Sequence, residues 1–558
     1  MAVYDVAIVG SGAAGGTVAY TLAKAGLKVV LVEKGRWVRR EEFSKDEIAY
    51  CRRDVVTPNL FEEFHLIETK GTNGWRAQPT YATGWSFWNG NIVGGSSNLM
   101  SGMFHRMHPD DFRLLSRFGP IRGANLADWP ISYEDLEPYY DRIESIVGIS
   151  GTFRPHPFEP PRKRDAFFQP ATSENRIATL FDRACIAAGA SPLVTPRAIL
   201  SRPEGDRNAC YYSNFCGSYG CSSGAKGSAQ EAMVLPALRT GNLTLLPNTF
   251  VKRLVTNSKR SVGYAESVDR VTMETRKIYA RIFVVAAQAH ESVRLLLNSA
   301  NRDYPEGLAN SSGELGKNLI FSAGGWGEGD LDRTALTEEM FDALMEPGLF
   351  LNRSLLDWYH IRKGDEELKG GLVEFMFGHQ NFIRRASMSK YDERGKLLWG
   401  RKLERALRYR FERSKRIRFE IFNDWLPTDD CHIRVDGSYT DRYGAPVGRL
   451  RLNAHPHDLE VAGTIAERAQ RILKRMGARN IVTNLSSRPP QNLVAGGCRF
   501  GDDPKSSVLN RHCQSHDIPN LFVADASFMP TGGSVPYTWT IYANALRVAE
   551  YIARYAAG

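Results

Sequence analysis

The chain opens on an uninterrupted apolar run, "VYDVAIV" (3–9), the pattern of a strand buried on both faces of a parallel sheet. "GSGAAG" follows at once. "GTVAYTLAKAG" then continues as a helix that stops at Gly26, and "KVVLVEKG" supplies a second strand ending in Glu33. Far downstream, "LLWGRKLERALRYRFERSKRI" (397–417) places Leu403, Leu407 and Phe411 at i, i+4, i+8 among arginines. That spacing predicts an amphipathic helix over 398–418 with a cationic outer face. No run reaches eighteen consecutive apolar residues, so no membrane-spanning helix is predicted. There is no internal repeat.

The glycines between the first strand and helix carry chemistry. Gly10, Gly12 and Gly15 have G-x-G-x-x-G spacing. Gly10 permits the tight turn, Gly12 lets backbone approach a pyrophosphate, and Gly15 allows close helix–strand packing. The helix start at Ala13 and Ala14 offers free N–H groups and a positive dipole end to phosphates. Glu33, beside Lys34, is placed to accept hydrogen bonds from an adenosine ribose. Because all the parts arrive in order, a dinucleotide site is predicted here. Glu33 disfavours NADP, whose 2′-phosphate it would repel; FAD and NAD both remain open at this point.

Length and charge narrow the class. With 558 residues, 42% hydrophobic and 24% charged, the chain can form one large two-lobed enzyme. The net charge of +10 is concentrated between Arg384 and Arg418, where fourteen Lys/Arg face four Asp/Glu, and the rest is near neutral. A nucleic-acid enzyme would spread basic residues over a whole face, so no nucleic-acid partner is expected. The basic stretch is either a solvated helix or a surface for a partner subunit, an acidic substrate or an anionic membrane. The start "MAVYDVAIVGSG" has no basic n-region or cleavage site, which predicts a cytoplasmic protein, with export by a signal-bearing partner left open. Eight cysteines in so long a chain do not form a disulfide scaffold. Three of them, Cys210, Cys216 and Cys221, crowd one Gly/Ser/Tyr loop. Their C-x₅-C-x₄-C spacing is poor for zinc, which uses closer pairs and four ligands.

"PNLFVADASFMPTGGSVPYTWTIYANALR" (519–547) resembles the C-terminal signature of the glucose–methanol–choline (GMC) oxidoreductases, FAD enzymes that oxidise alcohols. "NIVGGSSNLMSGMFHRMHPDDF" (91–112) is similar to that family's flavin-contacting loop, and "RIFVVAAQAHESVRLLLNS" (281–299) to its strand–turn–helix returning to the nucleotide. "WPISYEDLEPYYDRIESIVG" and "LGKNLIF" agree. The resemblance implies an α/β fold: a Rossmann-type FAD lobe (1–112, 206–319, 486–558) interleaved with an α+β substrate-binding cap lobe (113–205, 320–485). The cap's antiparallel sheet is expected from "LKGGLVEFMFG" and "CHIRVDGS…VGRLRLN". Beyond the glycine turn, the resemblance brings to the flavin Gly94, Gly95, Ser96, Asn98, Leu99, Met100 and Ser101 from one loop. It adds Val251, Ala287, Asp525, Ala526, Pro536 and Thr538. Asp525 would bond ribityl or pyrophosphate-side groups. The last helix, starting near Thr538, would aim its N-terminus at the flavin N1–C2=O edge, where negative charge collects on reduction.

One departure bears on mechanism. Oxidising an alcohol needs a base for the hydroxyl proton, and in this family it is typically a His five residues before the Cys of "H-x-x-G-T-C-R-M-G". Here "QNLVAGGCRFGDDP" puts Leu493 at that place, with Asn492 beside it, and the second catalytic position falls on Pro536 in "SVPYTWTI". The candidates are then Asn492, which can orient a hydroxyl but cannot take its proton, and Tyr537, a base only if its pKa is much depressed. His105, His108 and His290 in the flavin-proximal motifs are further candidates, as are the substrate's own groups or water. Some GMC dehydrogenases hold a three-iron cluster on three clustered cysteines, so the resemblance leaves Cys210, Cys216 and Cys221 as Fe–S ligands or as a structural loop. The expected function is hydride transfer from a CH–OH group of a sugar-like, cyclitol-like or natural-product alcohol, with electrons passed to a partner subunit or quinone-type acceptor more readily than to oxygen. The alternatives are an oxidase or desaturase on a less polar natural product, and a flavin-bound assembly subunit docking through 398–418.

Overall fold

The computed structural model describes residues 3–51, 55–72, 74–258, 260–322, 324–378, 381–392 and 394–557. The apolar runs form a five-stranded sheet ordered Leu521–Val523, Ala280–Val285, Tyr4–Val9, Val29–Val32, Leu243–Leu246, with every neighbouring pair parallel. Such strands are apolar on both sides because helices cover both faces. Ala13–Lys24 is one of these helices, and the C-terminal helix Thr538–Ala557 packs against it. The start and end of the chain therefore meet in one core.

A second, six-stranded sheet runs Arg479–Asn484, Gly325–Asp332, Ser414–Asn423, Gly371–Phe377, Arg353–Leu355, Leu193–Val194, all antiparallel. Its period of two separates its faces. Val373, Phe375, Ile417, Phe419 and Ile421 join a core with Val461, Ile465, Ala469 and Ile472 of the helix Pro456–Arg475. The alternate residues Glu374, Met376, Arg416, Arg418, Glu420 and Phe422 line a cavity on the other face. The antiparallel sheet is tied to the loop that leads into the helix Thr538–Ala557, since the N–H of Leu372 donates to the carbonyl of Ser534 at 3.2 Å.

Two sequence expectations change. "CHIRVDGS…VGRLRLN" does not extend the sheet of "LKGGLVEFMFG". The strands His432–Thr440 and Pro446–Arg451 form a separate four-stranded sheet with Leu66–Gly71 and Gly74–Pro79, a pairing across nearly four hundred residues of sequence that no local pattern announces. The helix predicted over 398–418 is shorter. It spans Arg401–Arg408, widens into a π-turn at Tyr409–Arg413, and gives way to strand from Ser414. The reason lies in "RIRFEIF", where Ile417, Phe419 and Ile421 switch the apolar period from four to two. Among the described residues no helix is long and apolar enough to cross a membrane.

Candidate active site

The glycine turn is built as its spacing requires. Gly10 has φ +96°, and a Cβ there would stand 2.3 Å from the carbonyl oxygen of Ala286; one on Gly15 would stand 1.8 Å from that of Gly10. Gly12 is different, because its Cβ would meet nothing within 4 Å. It borders an open lane, and the helix beginning at Ala13 has neither a side-chain cap nor an acid in its first turn. Unsatisfied N–H groups and the positive dipole end therefore face a cavity of about 1370 Å³. That exceeds the roughly 300–1,000 Å³ of ordinary ligand pockets, leaving room for a dinucleotide and a substrate.

Of the residues the sequence assigns to the cofactor, Gly10, Gly12, Ala13, Ala14, Glu33, Lys34, Gly95, Ser96, Leu99, Met100, Ser101, Val251, Ala287, Asp525, Ala526, Pro536 and Thr538 line this cavity. Gly15, Gly94 and Asn98 stand behind the wall. Gly15 seats the helix on the turn, the N–H of Gly94 donates to Ser11 Oγ at 2.9 Å, and the Asn98 amide donates to the carbonyl of Val93 at 2.7 Å. Glu33 also holds the glycine turn together. Its Oε2 accepts from the N–H and hydroxyl of Ser11 at 3.0 and 2.6 Å, and its Oε1 from the N–H of Gly35 at 2.8 Å, so it braces the turn with lone pairs to spare. Asp525 bonds the Ser292 hydroxyl and accepts from the N–H of Ser527 at 3.0 Å, fastening the Leu521–Val523 strand end to the helix Ala289–Leu297. Burial raises its pKa.

Asn492 and Tyr537 both line the cavity, and the stretches carrying them touch: the Tyr537 hydroxyl donates to the carbonyl of Leu493, whose φ is +55°. Tyr537 is fully buried, and burial holds its phenol far above its ordinary pKa. A tyrosine base needs a depressed pKa, and burial acts in the opposite direction. Tyr537→Phe is expected to cost about 1–3 kcal/mol of stability by orphaning the Leu493 carbonyl, and to leave flavin reduction and its pH profile unchanged in stopped-flow measurements. The three candidate histidines lie outside the cavity lining. His290 stacks on Phe87 at 3.5 Å, and burial drives its pKa well down. His108 caps the short helix at Pro109–Arg113 by accepting from the N–H of Asp110 at 3.2 Å. His105 pairs through Nε2 with Glu374 Oε1 at 2.8 Å.

A further acid, Glu374, reaches this cavity without a motif that marks it. It is 1% exposed, lines the cavity, and its Oε2 has no hydrogen-bond partner among the described residues. The only signal in the sequence is a lone acid in the apolar run "GLVEFMF", an interruption that a buried strand does not tolerate without cause.

The three loop cysteines do not gather as ligands. Among the described residues, the one set of three potential ligand atoms within 4.8 Å of one another is His65, His290 and Glu291. Cys210, Cys216 and Cys221 pack against Ile199, Leu200, Ala225 and Phe350. Burial pushes the Cys210 thiol up to about 11; it acts on Cys221 in the same sense, but the Lys226 ammonium nearby brings that thiol below its ordinary value. Lys226 staples the loop to the segment carrying Asn98, donating to the carbonyls of Asn98, Cys216 and Tyr219 at 2.7–2.8 Å. Gly217 and Ser218 of the same loop line the cavity.

A family model described as GMC oxidoreductase matches residues 6–321, and a second of the same description matches 427–545. The chain is a GMC oxidoreductase. It is 28% identical over 552 residues to paromamine 6'-oxidase of Streptomyces fradiae, covering 99% of this chain and 91% of that protein. It is 29% identical over 565 residues to 2-methyl-1,2-propanediol dehydrogenase of Mycolicibacterium austroafricanum, covering 99% and 95%. The crystal structure of pyridoxine 4-oxidase from Mesorbium loti superposes with a TM-score of 0.59 at 19% identity, covering 99% of each chain, a likeness of fold. GMC oxidoreductases bind FAD, and the residues here fit it: the open lane at Gly12, the uncapped helix start and the Glu33 carboxylate are the donor and acceptor set a dinucleotide requires.

Proposed function

We propose that this GMC oxidoreductase takes hydride from a CH–OH group of a sugar-like, cyclitol-like or natural-product alcohol. The observation that carries this reading is the continuity of one cavity from the dinucleotide turn to a sheet face bearing Glu328, Arg416, Arg418, Glu420 and Asn484. A hydroxylated ligand can exchange its hydration for hydrogen bonds on that wall, whereas an apolar one would leave the wall's polar groups unpaired. The two relatives are named for paromamine and for a propanediol, which supports a polyhydroxylated substrate. When bound, FAD supplies the two-electron acceptor. The chain's own part is to hold the phosphates at Gly12 and the helix start, to brace the turn through Glu33, and to close the ring side with Pro536 and Tyr537.

Anaerobic mixing with such alcohols is expected to bleach the flavin absorbance. A flavin that stays oxidised across aminosugars, cyclitols and short diols would overturn the reading. Peroxide formed on admitting air then separates oxidase from dehydrogenase. We assign the cysteine loop a structural role, on the packing of its thiols and the Lys226 staple; iron and acid-labile sulfide in the purified holoenzyme are expected to stay far below one cluster per chain. A docking role for the basic segment alongside catalysis is favoured by Phe382, Met388 and Trp399, which are 48%, 66% and 80% exposed in and beside it.

A further inference from the structure

We propose that Glu374, held by His105, is the group that takes the hydroxyl proton of the substrate, in the role that Leu493 and Pro536 leave unfilled. This rests on the alcohol reading above and adds to it the identity of the base.

Three independent features place it. First, strand alternation puts Glu374 on the cavity face of Gly371–Phe377, with Met376 on the same side and Val373 and Phe375 in the core behind. Second, the same strand begins against the segment that closes the flavin side: the N–H of Leu372 donates to the carbonyl of Ser534, two residues before Pro536. Glu374 is two residues further along this strand and lines the same cavity as Pro536 and Tyr537. Third, His105 belongs to the loop that follows Met100, Ser101 and Met103 along the cavity, so the pair joins the sheet to the flavin loop.

A buried carboxylate oxygen with no partner is costly, and the cost is relieved when a ligand hydroxyl donates to it. Oε1 is engaged by His105 at 2.8 Å, which fixes the carboxylate plane; Oε2 is left for the substrate. The step balances. The substrate O–H bond breaks and its proton goes to Glu374 Oε2, the C–O bond becomes C=O, and the C–H hydrogen leaves as hydride with both bonding electrons for FAD, the two-electron oxidant of the proposed reaction.

The electrostatic surroundings agree. Burial raises the Glu374 pKa above the usual carboxylate range, while the facing His105 and Arg197 lower it and Glu420, opposite on the neighbouring strand, raises it. A raised pKa makes the carboxylate a stronger proton acceptor than an exposed glutamate. Because the group must be ionised to act, reduction is lost as pH falls through this pKa. His105 is a positioning residue. Replacing it by Asn removes a contribution that lowers the pKa, so the acid limb of the profile should move to higher pH.

The test uses flavin-loaded wild type, Glu374→Gln, Glu374→Asp and His105→Asn, each checked for an unchanged visible flavin spectrum. Anaerobic reduction by an amine-free alcohol is expected to slow by about 10²–10⁴-fold in Glu374→Gln, with part of the rate restored in Glu374→Asp. An infrared titration of the holoenzyme, read without turnover, should show a protonated-carboxyl stretch whose midpoint matches the acid limb of wild-type reduction and which is missing in Glu374→Gln. Reduction of Glu374→Gln at the wild-type rate, or a rise in KM alone with the limiting rate unchanged, overturns the assignment, the latter marking Glu374 as a binding group. If the wild type is not bleached either, the alcohol reading itself has failed.

Discussion

Alanine at Gly15 is expected to give a protein that is less stable and comes off purification colourless, whereas alanine at Gly12 should give a stable, equally colourless one. The two glycines are three residues apart, yet their surroundings are opposite. A Cβ on Gly15 would lie 1.8 Å from the Gly10 carbonyl oxygen and 3.3 Å from the Ala286 side chain, inside packed backbone. Helix Ala13–Lys24 would have to lift off the strands beneath it, at a cost of about 3 kcal/mol, the upper end of the usual overpacking penalty. A Cβ on Gly12 meets nothing within 4 Å and leaves the fold alone, but it occupies the lane a pyrophosphate needs. A loss of about 3 kcal/mol in binding corresponds to roughly a hundredfold weaker flavin affinity. Urea midpoints of the two apoproteins, together with flavin titrations, separate these outcomes. Equal midpoints for Gly15→Ala and wild type would refute the packing argument, and tight flavin binding by Gly12→Ala would refute the placement of the phosphates.

The second large effect is expected at Lys369. This buried ammonium lies 3.0 Å from Asp111 Oδ1 and 3.9 Å from Asp424 Oδ2, donates to Ser534 Oγ at 2.6 Å, and sits over the Tyr359 ring at 3.7 Å. It is the cation between two buried carboxylates, directly behind the segment that carries Pro536 and Tyr537. Burial raises the Asp424 pKa, and Lys369 acts against that rise. Lys369→Met would leave both acids without their counter-charge, a change that costs about 3–5 kcal/mol when one partner of a buried pair is removed. Adding Asp111→Asn and Asp424→Asn should recover part of the loss, because a neutral network no longer needs the cation. Chemical denaturation of the single and the triple variant measures it. A midpoint for Lys369→Met within error of wild type would mean that water, not Lys369, solvates these acids.

Local patterns made part of the molecule legible. The Gly10–Glu33 segment, the strand at Leu521–Val523 and the helix from Thr538 are each stretches in which sequence neighbours meet their own requirements: a turn needs glycine, a buried strand needs an apolar run, a helix needs its period. The Arg401–Arg408 helix was legible for the same reason, and its overextension past Tyr409 came from following one period into a stretch that had changed to another. Tyr537 was legible as a cavity residue, but the rise of its pKa was not, because that depends on burial contributed by distant segments.

Amino-acid order alone was enough to show a dinucleotide-type turn at residues 10–15, and the family resemblance it carries put Leu493 where a histidine is typical and predicted that both ends of the chain serve one cofactor. Three-dimensional packing was needed to put Gly94, Gly15 and Asn98 behind the wall, to pair the strands Leu66–Gly71 and Gly74–Pro79 with strands beyond residue 430, and to give Glu374 a cavity in common with Met100 and Ser101. The cause is range. Turn geometry and strand period act within a few residues, whereas a carboxylate's partner, its burial and the atoms it can reach are set by segments hundreds of residues away that only packing brings together.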